Sequence, residues 1–177
     1  LKGIRGVTLV EMLVTSTLGL LLIGSVTGLL SLGRTVWQDT EANVATLQDA
    51  RKALNQIAYD VSRSSWRDPA NGGPPSPIEI RAGGRRLRFY IPQSIVGNNI
   101  AWGDWISYYR ATGSNRLVRQ NLTTGETRIV ANDINSIFFG TLPSDANVIT
   151  ISITARKTSL STRQAQNVLQ TNITVRN

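Results

Sequence analysis

Two groups of side chains in this chain are placed where chemistry is possible. The first is a single carboxylate. From Gly6 to Gly33, a run of 28 residues, Glu11 is the only formal charge. A carboxylate inside an apolar run costs a few kcal/mol on membrane-insertion scales, so it is a functional candidate by default. The plain alternative is that Glu11 lies near the headgroups and snorkels. The second group is Arg81, Arg85, Arg86 and Arg88, followed by Phe89, Tyr90, Trp102, Trp105, Tyr108 and Tyr109. Basic residues interleaved with aromatics can bind single-stranded nucleic acid through backbone contacts and stacking. They can equally form a solvated hairpin face that repels edge pairing or meets an acidic neighbour.

Most other chemistry is excluded. There is no Cys and no His, so thiolate chemistry, imidazole-bound metals and His-based general catalysis are impossible. Glu79, Asp104 and Glu126 fall on different turns and form no carboxylate pair. Asp133 and Asp145 lack the clustered oxygen donors of a calcium loop. Gly83-Gly84 lacks phosphate-loop spacing and reads as a turn. The expectation is a non-enzymatic protein with no cofactor and no metal. Nineteen basic against eleven acidic residues give a net charge of +8.

The elements that must position these residues follow from the hydropathy pattern. Lys2 and Arg5 form a basic stub. As a helix, the run from Gly6 to Gly33 would be about 42 Å long at roughly 1.5 Å per residue, enough to cross a bilayer. The positive-inside rule keeps Lys2 and Arg5 cytoplasmic and sends the rest outside. A cleaved secretory signal is the alternative, but the apolar run is too long and ends without a small-residue cleavage site. A generic uncleaved anchor is another. Gly24 and Gly28 form a Gly-x-x-x-Gly that would let another helix approach closely, or loosen this one. Past Arg34, the residues Trp37, Val44, Leu47, Leu54, Ile57, Ala58 and Val61 recur at helical steps. Arg34, Asp39, Glu41, Asp49, Arg51, Lys52 and Asp60 fall between them, which predicts an amphipathic continuation with one apolar stripe. It should end between Arg63 and Trp66, before Asp68-Pro69.

A Pro- and Gly-rich loop follows, then strands. Ile78–Arg81 and Arg86–Ile91 read as one hairpin, and Trp105–Arg110 and Arg116–Gln120 as a second. Arg128–Ala131, Ile134–Phe139, Val148–Ala155 and Val168–Arg176 read as further strands. Alternation places Leu87 and Phe89 opposite Arg86, Arg88 and Tyr90. The fold class is therefore α+β, with a long N-terminal helix packed on an antiparallel β-sheet.

The segment Gly6-Val7-Thr8-Leu9-Val10-Glu11-Met12-Leu13-Val14 resembles the N-terminal signature of type IV pilins and pseudopilins. Val7 stands where that family usually has Phe. The resemblance implies residues 1–6 as a leader peptide, 7–33 as the transmembrane assembly helix and 34–177 as a periplasmic pilin-like α+β domain. It implies cleavage between Gly6 and Val7, methylation of the Val7 amine, and Glu11 as the assembly carboxylate. Glu11 is four residues from Val7, on one helical face. In lipid, one subunit's Glu11 would neutralise a neighbour's Val7 ammonium and so set the axial stagger. The helix segments Leu47–Leu54 and Ile57–Val61, the stretch Ile129–Phe139 and the terminal Thr174–Asn177 are most similar to J-type minor pseudopilins of type II secretion and W-type minor pilins. The implied partners are other pilins or pseudopilins, a prepilin peptidase/methyltransferase and an inner-membrane assembly platform. The implied role is structural: joining or initiating a pilus or pseudopilus. An alternative within the family is a DNA-uptake pilus subunit that contacts DNA through Arg81, Arg85, Arg86 and Arg88.

Overall fold

A computed structural model describes residues 8–64, 77–96, 99–158 and 164–175. One α-helix, α1 (Leu9–Ser62), runs unbroken for 54 residues, about 80 Å at 1.5 Å per residue. Thr8 caps its start: the Thr8 hydroxyl accepts from the Glu11 backbone N–H at 3.3 Å. The helix ends where the Arg63 N–H turns back to the carbonyl of Asp60 and Ser64 N–H to that of Val61.

Eight strands follow: β1 (Ile78–Arg81), β2 (Arg86–Val96), β3 (Asn99–Arg110), β4 (Leu117–Asn121), β5 (Thr127–Ala131), β6 (Ile134–Leu142), β7 (Asp145–Thr158) and β8 (Gln164–Thr174). All pairings are antiparallel. The fold is α+β and pilin-like: a long helix under antiparallel strands. The strands do not form the single sheet expected from the sequence. They form a five-stranded meander, β1-β2-β3-β4-β5, and a separate three-stranded sheet, β6-β7-β8. The break falls in the two residues between β5 and β6, where Asp133 adopts a left-handed φ of 57° and turns the chain out of the first sheet. Two backbone hydrogen bonds then tie β6 across the turns of the first sheet. Ile134 N–H donates to Asn115 O at 2.8 Å, and Phe139 N–H to Gly84 O at 2.7 Å.

The core lies between the second half of α1 and both sheets. Ala50, Ala53, Ile57 and Val61 of the helix meet Leu87, Phe89, Ile106, Tyr108, Ile134, Phe139, Ile149, Ile151 and Ile153. Ala50 and Ala53 are completely buried; their small size lets the strands approach the helix backbone. Of the stripe read off the sequence, Leu54, Ile57 and Val61 are buried as expected, but its N-terminal part is not. Trp37 is 74% exposed and Val44 48% exposed, whereas Ala42, Thr46 and Asp60 are buried. Large apolar residues dominate a helical periodicity, but here small ones sit where the sheet comes closest. Leu87 and Phe89 are buried while Arg86, Arg88 and Tyr90 lie on the outer face, as the alternation requires.

Candidate functional site

The first half of α1 is covered by nothing. Leu9, Val10, Met12, Leu13, Leu20, Leu21, Leu22, Ile23, Leu29, Leu30 and Leu32 are all exposed. Among the described residues this is the one helix long and apolar enough to cross a membrane. Thr15, Ser16, Thr17, Ser25 and Thr27 do not spoil that character, because their hydroxyls bond back into the helix. Thr15 donates to Glu11 O at 2.8 Å, Thr17 to Leu13 O at 2.9 Å, Ser25 to Leu21 O at 2.8 Å and Thr27 to Ile23 O at 2.9 Å. A polar group satisfied this way removes most of the cost of placing it in hydrocarbon.

Glu11 occupies the third position of the helix, with Thr8 as the cap. Thr8-Leu9-Val10-Glu11 thus has the spacing of a capping box, a signal legible in the sequence that its apolar setting obscured. The free N–H groups and dipole of a helix start favour a negative charge by about 0.3–1 kcal/mol, which offsets part of the cost of an acid in lipid. The Gly6–Val7 bond lies outside the described residues. Gly24 and Gly28 sit on a continuous helix, with open space where a Cβ would project.

A side-chain cluster missed in the sequence joins this helix to the domain. Asp60 is 3% exposed, although its charge places it among residues expected to face solvent. Its Oδ2 accepts from Tyr108 Oη at 2.7 Å and from Arg119 Nε at 2.7 Å, and its Oδ1 accepts from Gln56 Nε2 at 3.4 Å. Tyr108 on β3 and Arg119 on β4 are cross-strand partners, so one helical carboxylate clamps two neighbouring strands. Burial pushes the Tyr108 phenol far above its usual range, and the hydrogen bond to Asp60 and its charge push the same way. For Arg119 burial acts to lower the pKa, but the hydrogen bond and charge of Asp60 outweigh it and raise it.

The four arginines singled out in the sequence have different surroundings. Arg81 is ion-paired with Glu79 at 2.6 Å, which raises its pKa through the hydrogen bond first and the charge second. Arg88 lies over Trp105, 5.2 Å from the ring centroid. Tyr90 stacks on Trp105 at 5.4 Å and 7°, and meets Trp102 edge-on at 6.1 Å. Arg86 lies over Tyr109 at 4.5 Å. Arg85 and Arg86 instead line a cleft shared with Arg110, a residue outside the sequence-predicted cluster. Among the described residues no group of three or more acidic side chains is placed to hold a metal ion.

No protein-family model matches the chain, and neither a curated protein nor a solved structure matches it.

Proposed function

We propose that the chain is a minor pilin or pseudopilin, a structural rather than catalytic subunit that joins or initiates a type IV pilus or a type II secretion pseudopilus. One observation carries this reading. A single unbroken helix is bare and apolar over its first half and roofed by antiparallel sheets over its second. Such a helix has two tasks. Its bare half needs lipid, or the bare halves of sister helices, around it. Its roofed half carries the domain without a flexible linker, so an axial shift of one is a shift of the other.

In this reading the leader ends at Gly6, Val7 becomes the methylated N-terminus, and the domain from residue 34 onward lies in the periplasm above the inner membrane. Glu11 meets the Val7 ammonium of an adjacent pilin, and Gly24 and Gly28 allow that neighbour's helix to approach. A prepilin peptidase/methyltransferase and an inner-membrane assembly platform are the corresponding partners. The capped helix start supports the role of Glu11, because it puts the residue in the first turn, where the helix dipole favours a negative charge.

The test is mass spectrometry of the N-terminus of the protein isolated from its native membrane. A chain beginning at N-methylated Val7 is expected; a chain retaining Lys2–Gly6 refutes the reading. In the same material Glu11→Gln should abolish cross-linking to partner pilins while leaving membrane insertion intact. Unchanged cross-linking would remove Glu11 from assembly.

A further inference from the structure

The turns of the first sheet and the edge strand β6 enclose a cleft of about 540 Å³. Its frame is rigid. The turn before β2 is pinned at Gly84 O and the turn after β3 at Asn115 O, each by a backbone N–H of β6. Asn135 and Ser136 lie between those pins and line the cleft, on a strand that pairs with β7 alone. Arg85 in one turn, Arg86 at the start of β2 and Arg110 at the end of β3 all line the same space. No acidic side chain is among its described lining residues, and the one acid of β1, Glu79, is taken by Arg81.

Two of the three guanidiniums, those of Arg86 and Arg110, have partners within the chain. The Arg86 guanidinium carbon lies over the Tyr109 ring, 4.5 Å from its centroid, and a guanidinium that stacks on a ring keeps its in-plane N–H donors free for an oxyanion. Arg110 is steadied through Nη1 by Asn115 Oδ1 at 3.2 Å and Ser114 O at 3.4 Å, which leaves its remaining donors unspent.

We propose that this cleft is a phosphate site, taking one dianionic phosphate group from a soluble phosphate ester or from a lipid headgroup. Charge decides against a carboxylate: one negative charge leaves the three cations that line the cleft largely uncompensated, whereas a phosphate brings nearly two and three acceptor oxygens. The aromatic layer decides against single-stranded nucleic acid. Bases need bare ring faces, but Tyr109 is covered by Arg86, and Trp105 by Tyr90 and Arg88. The cleft is on the domain, away from the bare half of α1, so the proposal stands or falls independently of filament assembly.

The test uses the full chain in a neutral detergent at pH 8 and constant ionic strength, with tryptophan fluorescence as the readout. Inorganic phosphate and sulfate should bind at least about 10-fold more tightly than acetate. Arg85→Ser and Arg110→Ser should each weaken phosphate at least about 10-fold, a loss of some 1.4 kcal/mol, while Arg51→Ser on the exposed helix face changes nothing. Glycerol 3-phosphate and a short-chain phosphatidic acid then separate the sources. Equal binding assigns the soluble ester, and tighter binding of the phosphatidic acid assigns the lipid. Equal affinity for acetate and phosphate, indifference to Arg110→Ser, or tighter binding of a single-stranded oligonucleotide that Arg85→Ser and Arg110→Ser leave intact would each overturn the proposal.

Discussion

Removing the Asp60 carboxylate should loosen the domain from its helix. In Asp60→Ala, two groups lose their partner at once. The Tyr108 hydroxyl, on a fully buried residue, loses a 2.7 Å hydrogen bond to a charged acceptor, worth about 1.5–3 kcal/mol. Arg119 loses an ion pair at 2.7 Å, but a quarter of its side chain is exposed, so water recovers much of that loss and its share is about 1 kcal/mol. The contact from Gln56 at 3.4 Å adds little. The total is about 2.5–4 kcal/mol, overlapping the range for breaking a buried pair and a large fraction of a typical 5–15 kcal/mol domain stability. Asp60→Asn keeps an acceptor for Tyr108 and should cost about half as much. The assay is equilibrium urea unfolding of the full chain in detergent micelles, with the slope checked for constancy so that the midpoint reports stability. Tyr108→Phe closes a double-mutant cycle with Asp60→Ala, and a coupling of at least about 1 kcal/mol is expected. A cost below about 1 kcal/mol for Asp60→Ala, or strict additivity in the cycle, would show that the clamp does not hold the domain.

Two further outcomes are expected from the packing around Tyr108 and Gly84. The Tyr108 phenol is raised in the folded state above its unfolded value of about 10, so its contribution is complete below that pH and is lost as pH climbs above it. Wild-type stability should therefore fall in an alkaline titration beyond pH ~10, and Tyr108→Phe should flatten that fall; an unchanged profile would contradict the assignment. Gly84 has φ +86°, and a Cβ there would meet the Phe138 ring and lie 2.8 Å from the Phe139 carbonyl oxygen. Gly84→Ala should cost about 2–3 kcal/mol in the same unfolding assay, since it combines left-handed strain with a backbone clash. A near-neutral result would mean that the seam between the sheets is loose enough to accept a methyl group.

Local patterns carried much of this protein. The helix from Leu9 to Ser62 is written in an apolar run that merges into a 3.6-residue periodicity, with Thr8 and Glu11 marking its start and polar, Pro-rich residues beyond its end. The strands are written in alternation: Leu87 and Phe89 against Arg86 and Arg88 is a two-residue period that any half-buried strand must show. Both periods arise within a few residues of chain, so one sequence suffices to read them. The rest depends on groups far apart in the chain. Asp60 reads as a solvent-facing charge until Tyr108 and Arg119, 48 and 59 residues away, arrive to satisfy it. Burial of a charge is settled by its partners rather than by its neighbours in sequence. Arg81 drops out of its own cluster because Glu79 claims it, and Arg110 enters because β6 draws two turns together. The division into two sheets rests on a left-handed residue between β5 and β6, a backbone choice that periodicity of side chains does not encode.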